Sequence, residues 1–431
     1  MTLLTRLLFS EISTTGFALM RMGWAITVLW YGIAQSQDIT RYFSESGILP
    51  HKLEVLVTRQ EWRFTILDYV TDPRAVFLLY LIEMLAALCM LLGVYPKLMT
   101  VIAVLLQFSF HERNPLSLGG GDTVLRTVGF LLILAPTGRA FSLERLEEQW
   151  KSWCKTKRLL PSLTMPSWPQ TLILWQLIVI YVTSGWDKLL GDMWIQGTAV
   201  SSALHHPHFA RYPMWVMDIV GTASPVISIA TILFEFMWLL LLFPQRALAL
   251  LGLTHGVLKR SLFLMGVLFH GGIFVFMDVG SFSPAILSAY LGILDDADFK
   301  SLKIWLNHRF RGAIAVLYDG RCGLCIRTAF FLALLDHLRR LRLIDYHDAA
   351  ERTKVAPDLQ FKDLDRVMHV RFSKARTEKG FDAFRALSWH LPALWPLAPL
   401  LHVPGVPLIG RRIYAAVAES RKKCTHESCA L

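Results

Sequence analysis

Eight stretches of mostly apolar residues recur through the first 294 positions of this 431-residue chain, and few folds accommodate such a pattern. A bilayer core asks for about 20 apolar residues per helix. Only helices and closed barrels satisfy their backbone hydrogen bonds inside lipid. The runs Phe17 to Gln35, Ala75 to Val94, Leu98 to Phe110 and Val124 to Pro136 therefore read as membrane-spanning helices. So do Thr171 to Ser184, Ile227 to Phe243, Ser261 to Val279 and Pro284 to Leu294. Several are short for a full crossing, so re-entry or extension into polar flanks belongs to the reading.

Composition agrees with a lipid solvent. Hydrophobic residues make up 54% of the chain and charged residues 18%, against about 25% charged in soluble domains. Mean hydropathy is +0.44. The net charge of +11 does not point to nucleic acid, because no basic stretch is interleaved with stacking aromatics. The basic residues instead gather in the turn at Lys97 and in the segments Arg139 to Arg158 and Gln245 to Arg260. With eight spans these share one side with both termini, and the positive-inside tendency makes that side cytoplasmic. The expectation is a multi-pass inner-membrane protein in contact with the lipid bilayer. Its first apolar run lacks a small-residue cleavage site and is long enough to remain as a span.

Beyond residue 295 the pattern changes. A linker over 296–312 opens with the polar "DDADFK", and residues 313–431 read as a small α/β domain. "AIAVLYDG" (Ala313 to Gly320) is a short β-branched strand ending in a turn. Cys322 to Arg342 has helical apolar spacing, and "LRLIDYHD" and "DRVMHVRF" read as further strands. Cys322-Gly323-Leu324-Cys325 lies between strand and helix, the context in which this spacing reads as a thioredoxin-like redox motif. Unpaired N–H groups at a helix start favour a thiolate. Cys322 is expected as the exposed nucleophile and Cys325 as the thiol that resolves the mixed disulfide, with Arg321 and Arg327 adding positive charge. The alternative is a structural zinc site completed by Cys424, His426 and Cys429; a metal-free dithiol, needing no cofactor, is the reading taken. The other cysteines, Cys89 and Cys154, are too scattered for a disulfide scaffold.

"VLYDGRCGLC", followed by "MHVRF" and "GFDAFRALSWHLPALWPLAPLLHVPGVPLIGRRIYAAVAESR", resembles the DCC family of thiol–disulfide oxidoreductases. The resemblance implies Asp319, Cys322 and Cys325 as the active-site segment, and a disulfide-containing protein or small thiol as partner. "DRVMHVRF" has no proline where thioredoxins place a cis-proline. In the membrane part, "HERNPLSLGGGDTVLR", "PTGRAFSLE", "YVTSGWDKLLGDMWIQGTAV" and "LFHGGIFVFMDVGSFS" resemble the HTTM family, which contains the vitamin K-dependent γ-glutamyl carboxylases. That resemblance implies a quinone or vitamin K-like lipid as ligand, and places Lys188 in a segment similar to the one holding the carboxylases' base. Asp122 stands near a position where those enzymes carry a His. Lys188 snorkelling beside Asp187 is the structural alternative.

Ionisable groups within spans default to functional candidates, which adds Glu83, Glu235 and His270 to His111, Asn114, Asp122 and Trp194. His205, His206 and His208 read as a solvated loop. Two further functions remain open. One is a carboxylase-like membrane enzyme with Lys188 as base; the other is a membrane scaffold or maturation factor with a tethered redox domain.

Overall fold

A computed structural model describes residues 5, 8–58, 64–310, 312–373 and 376–420 of the chain. It is mostly helical and divides into two compact units, Met1–Leu146 with Ser162–Asp296, and Glu147–Pro161 with Ala297–Leu431.

The membrane unit is built on α1 (Thr15–Gln35), α2 (Pro73–Leu92), α3 (Pro96–Arg113), α4 (Gly120–Leu134), α5 (Trp168–Leu189), α6 (Ser224–Met237), α7 (His255–Phe276) and α8 (Phe282–Gly292). Local chemistry sets the ends. Asp72 Oδ1 accepts from the N–H groups of Arg74 (2.8 Å) and Ala75 (3.1 Å) ahead of Pro73, a start that fills orphan donors. Gly93, at φ +71°, ends α2, and a Cβ there would lie 2.4 Å from Ser142 Cα. Small residues bring α1 and α8 close, since a Cβ on Gly16 would meet Leu294 O at 2.6 Å. The core includes Phe17, Trp24, Leu125, Leu177 and Tyr290. In α2, Leu78, Leu85 and Leu92 are exposed at heptad spacing, an apolar outer face suited to lipid.

Eight helical elements stand where eight spans are expected, but that count of transmembrane helices is not reached. Among the described residues, four helical stretches are long and apolar enough to cross a bilayer: Thr15–Gln35, Pro73–Leu92, Ser224–Leu242 and His255–Phe276. A fifth is added if Gly120–Leu134 and Thr137–Thr156, bent by 73°, form one span. The remainder fall short for physical reasons. α8 has 11 residues, about 16 Å of helix. α3 carries Lys97, His111, Glu112 and Arg113, and α5 carries Trp168, Gln170, Gln176 and Lys188. An apolar run alone does not separate a helix buried in protein from one that meets lipid.

At one end of the membrane unit, Arg21 donates to Thr137 O (2.8 Å) and Phe141 O (2.5 Å), Arg139 to Thr164 O (2.8 Å) and Lys259 to Ile293 O (3.1 Å). Lys97 donates to Ile133 O at the close of α4. Two of these acceptors, Ile133 O and Ile293 O, close helices α4 and α8. A two-stranded ribbon, β1 (Glu11–Ser13) with β2 (Thr164–Pro166), lies at the same end.

In the C-terminal unit a four-stranded sheet has the order β4-β3-β5-β6, with β3 (Ile314–Tyr318), β4 (Leu341–Asp345), β5 (His369–Ser373) and β6 (Arg376–Lys379). β3 and β4 run parallel, joined through α9 (Gly323–Leu335), and β5 and β6 are antiparallel to their neighbours. Every residue of β3 is buried, as a central strand covered on both faces requires. α10 (Gly380–His390) packs Ala383 and Leu387 against Val316 and Val370. The segment 147–161 belongs to this unit. Its Trp150 and Trp153 rings lie 5.1 and 6.0 Å from Phe330 on the outer side of α9.

Candidate functional site

Asp319 follows the central strand and accepts from Arg321 N–H through Oδ1 (2.9 Å), while its carbonyl accepts from Cys322 N–H (3.3 Å). The chain thereby turns sharply into α9, with Cys322 as its N-cap in extended conformation, φ −96° and ψ 120°. The unpaired amides of the helix start surround that position. Cys322 and Cys325 are not joined in a disulfide. Both are buried, at 4% and 7% exposure, so the expectation that Cys322 is the exposed nucleophile is corrected. Leu324, between them, is 37% exposed and marks the open side of the turn. Arg321 and Arg327 are exposed.

The next strand contributes groups that the motif did not reveal. Asp345 Oδ1 accepts from Gly320 N–H (3.0 Å) and His347 N–H (3.1 Å). His347 Nε2 donates to Asp319 Oδ1 at 3.0 Å, the carboxylate being an acceptor only. Tyr346 is 1% exposed and donates to Asp365 Oδ1 (3.0 Å). Burial, with Asp319 and Asp365 nearby, pushes its phenol up, so it remains a donor. The dithiol turn therefore rests on Asp319, Asp345 and His347. The signal available in the sequence was "IDYHD" closing a strand that runs parallel beside β3.

The membrane candidates separate into two groups. Lys188 Nζ donates to Glu235 Oε1 (2.9 Å) and Ser184 Oγ (2.5 Å) and stands 5.0 Å from the Trp194 ring centroid. Glu235 is 3% exposed, and its Oε2 has no hydrogen-bond partner. Two turns back along α5 from Lys188, Tyr181 bonds His270 Nε2 (2.8 Å) and Tyr290 and stacks on Trp238 (4.9 Å between centroids). Lys188, Glu235, Trp194 and His270 thus share one region.

The second group lines a cavity of about 910 Å³ reached by Glu83, His111 and Asp122. Gln107 Nε2 and His111 Nε2 are paired at 2.7 Å, with His111 Nδ1 unpartnered. Asp122 accepts from Gly119 N–H (2.8 Å) and Ser281 Oγ (2.9 Å) and lies 3.6 Å from His111 Nε2. Asn114 does not line the cavity; its amide donates to Tyr42 O (3.0 Å). Nor do the loop histidines converge on one point. His205 bonds Ser201 O (2.7 Å) and Asp218 (2.8 Å), and the Asp218 bond pushes its pKa up, whereas His208 lines the cavity.

Among the described residues, one trio brings metal-ligand atoms within 4.8 Å of each other: His51, Glu54 and Asp68. None of these was singled out from the sequence. Cys424, His426 and Cys429, the residues of the zinc alternative, lie outside the described residues.

A family model described as the HTTM domain matches residues 25–283. A second, described as DCC1-like thiol-disulfide oxidoreductase, matches residues 316–427. No curated protein and no solved structure matches the chain.

Proposed function

The chain belongs to the HTTM family and carries a DCC1-like thiol-disulfide oxidoreductase domain, and from that premise we propose that it is a membrane-anchored thiol–disulfide oxidoreductase working through Cys322 and Cys325. The observation that carries this reading is the position of Cys322. It caps α9 directly after the central strand of a sheet ordered β4-β3-β5-β6, an arrangement that supports a thioredoxin-like fold.

The chemistry closes without a cofactor. The Cys322 thiolate attacks one sulfur of a substrate disulfide, forming a mixed disulfide and expelling one thiolate. The Cys325 thiolate then attacks the Cys322 sulfur, forming the 322–325 disulfide and releasing the second substrate thiol. Two electrons pass from the dithiol to the substrate, and the two protons lost from the cysteines end on its thiols. Asp319 and His347 act as positioning residues, since they hold the turn from which Cys322 is presented. The burial of both thiols requires the turn to open when substrate docks, and the exposed Leu324 is the natural contact.

Disulfide reduction by the full-length protein in detergent is the test. Cys322→Ser is expected to lower turnover at least a hundredfold. Cys325→Ser is expected to trap a mixed disulfide on Cys322. Undiminished turnover in Cys322→Ser would sink the reading.

Attachment to a bilayer suits a further step, return of the pair's two electrons and two protons by a lipid-dissolved quinol. A reduced pair that appears equally fast with and without quinol-loaded vesicles would count against it. The carboxylase-like alternative requires Lys188 as an unprotonated base, and a lysine 2.9 Å from a buried Glu235 carboxylate is better suited to an ion pair. The scaffold alternative has no such observation in its favour.

We place the C-terminal unit in the cytoplasm. Arg21, Lys97, Arg139 and Lys259 lie at the end of the membrane unit where the chain leaves through Asp295, and basic ends stay inside. An epitope after Leu431 should resist protease in spheroplasts; its digestion there would reverse the assignment.

A further inference from the structure

The cavity of about 910 Å³ at the end of the membrane unit opposite Lys97, Arg139 and Lys259 is not used by the dithiol chemistry. We infer that it binds an organic cation, a substituted amine or quaternary ammonium group. Four carboxylates line it, Asp38, Glu83, Asp122 and Asp278, with no lysine or arginine among the described residues of its wall. The two at the rim have surface partners, Asp38 with Arg41 at 3.6 Å and Asp278 with Arg211 at 3.7 Å. The inner two have no such cation. Asp122 accepts from a backbone N–H and a hydroxyl and lies 3.6 Å from His111 Nε2. Glu83 is 3% exposed and its Oε1 has no hydrogen-bond partner. A buried carboxylate oxygen left unpaired is costly, so the site is incomplete without a ligand that supplies positive charge or a donor.

Aromatic rings complete the wall. Tyr31, Tyr42, Phe43, Tyr80, Phe110 and Phe282 all face the cavity, and the negative faces of such rings attract cations, more strongly as water is excluded. Aromatic surface around a few carboxylates recognises an alkylated ammonium better than the other ligand classes. A neutral lipid hydroxyl would supply a donor to Glu83 but no positive charge to offset the four carboxylates. An anion would meet four carboxylates. A bare metal ion needs converging ligand atoms, and the trio that converges, His51, Glu54 and Asp68, does not line this cavity.

The test is calorimetric titration of the full-length protein in detergent with choline and with phenyltrimethylammonium, using 3,3-dimethylbutan-1-ol as the neutral isostere of choline. Saturable binding of at least one cation is expected, with the isostere at least tenfold weaker than choline or undetectable. Glu83→Gln and Asp122→Asn should each weaken cation binding at least fivefold, and the rim substitution Asp38→Asn about twofold. Because the cation and isostere comparison is made on the unaltered protein, misfolding of a variant cannot decide the result. No saturable binding of either cation would overturn the inference, as would equal binding of choline and its isostere. So would full cation affinity in a folded Glu83→Gln protein.

Discussion

Gly320 leaves no room for a side chain. A Cβ there would lie 2.1 Å from Asp345 Oδ2, the carboxylate that ties Gly320 and His347 together beneath the dithiol turn. Gly320→Ala is therefore expected to push the two loops apart at a cost of about 1–3 kcal/mol, the usual range for overpacking. It should speed alkylation of Cys322 in native protein; an unchanged rate would show that the turn is not held closed by this contact. In the membrane unit, Lys188→Ala removes the cation from a buried carboxylate. Breaking such a pair costs about 3–5 kcal/mol, so a large fall in melting temperature is expected, with partial recovery in the double change Lys188→Ala, Glu235→Leu. A Lys188→Ala protein of normal stability that has lost all activity would instead favour a catalytic lysine. Cys322 and Cys325 were legible from their spacing between a strand and a helix, and Asp319 only through the resemblance to the DCC family. Asp345 and His347 were not, since they reach the turn only through the parallel pairing of β3 with β4. Lys188 and Glu235 were each legible as costly polar groups in apolar helices, but their pairing depends on how α5 packs on α6.

At the scale of elements, the strand of the dithiol motif was legible as a β-branched run, whereas the helical spacing read over Cys322 to Arg342 overran the helix, which ends at Leu335 before the strand Leu341–Asp345 begins. Arg139 to Arg158 was read as one basic segment between spans, but residues 147–161 belong to the C-terminal unit. Their place there rests on Trp150 and Trp153 meeting Phe330, and no local pattern announces a contact that distant in the chain. The helix and strand packed over the sheet also carry a pH response. His369, 5% exposed on β5, and His390, at the end of α10, both have pKa values lowered by burial. The unfolded chain takes up these protons near pH 6.5, whereas the folded unit resists them until lower pH. Stability from this source is thus full above about pH 6.5 and is lost as pH falls from there through the folded values. Limited proteolysis of the full chain should show the C-terminal unit becoming labile between about pH 6.5 and 5. His369→Gln should flatten that profile, and an unchanged profile in a protein carrying both His369→Gln and His390→Gln would refute the assignment.

For the whole molecule, composition alone demanded lipid, and the exposed leucines of α2 meet that demand. The number of crossings was harder to read. Counting apolar runs treats α3 and α8 like α2, although the first carries four ionisable residues toward its ends and the second is too short. The combination of a membrane unit with a dithiol unit gives the chain two separate chemistries, a buried thiol pair on one and an acidic, aromatic cavity in the other. The thiol pair is the central claim, and the sequence provides a convenient assay. Arg321 and Arg327 flank the motif, so trypsin releases Cys322 and Cys325 together on one short peptide. Differential alkylation of the full-length protein across a series of thiol–disulfide buffers, with and without a zinc chelator, reads the state of this pair directly. The expected result is a reversible two-electron transition between dithiol and 322–325 disulfide, the same in both series. A pair that never forms the disulfide, or that is protected from alkylation until zinc is removed, would contradict an oxidoreductase and leave a structural site in its place.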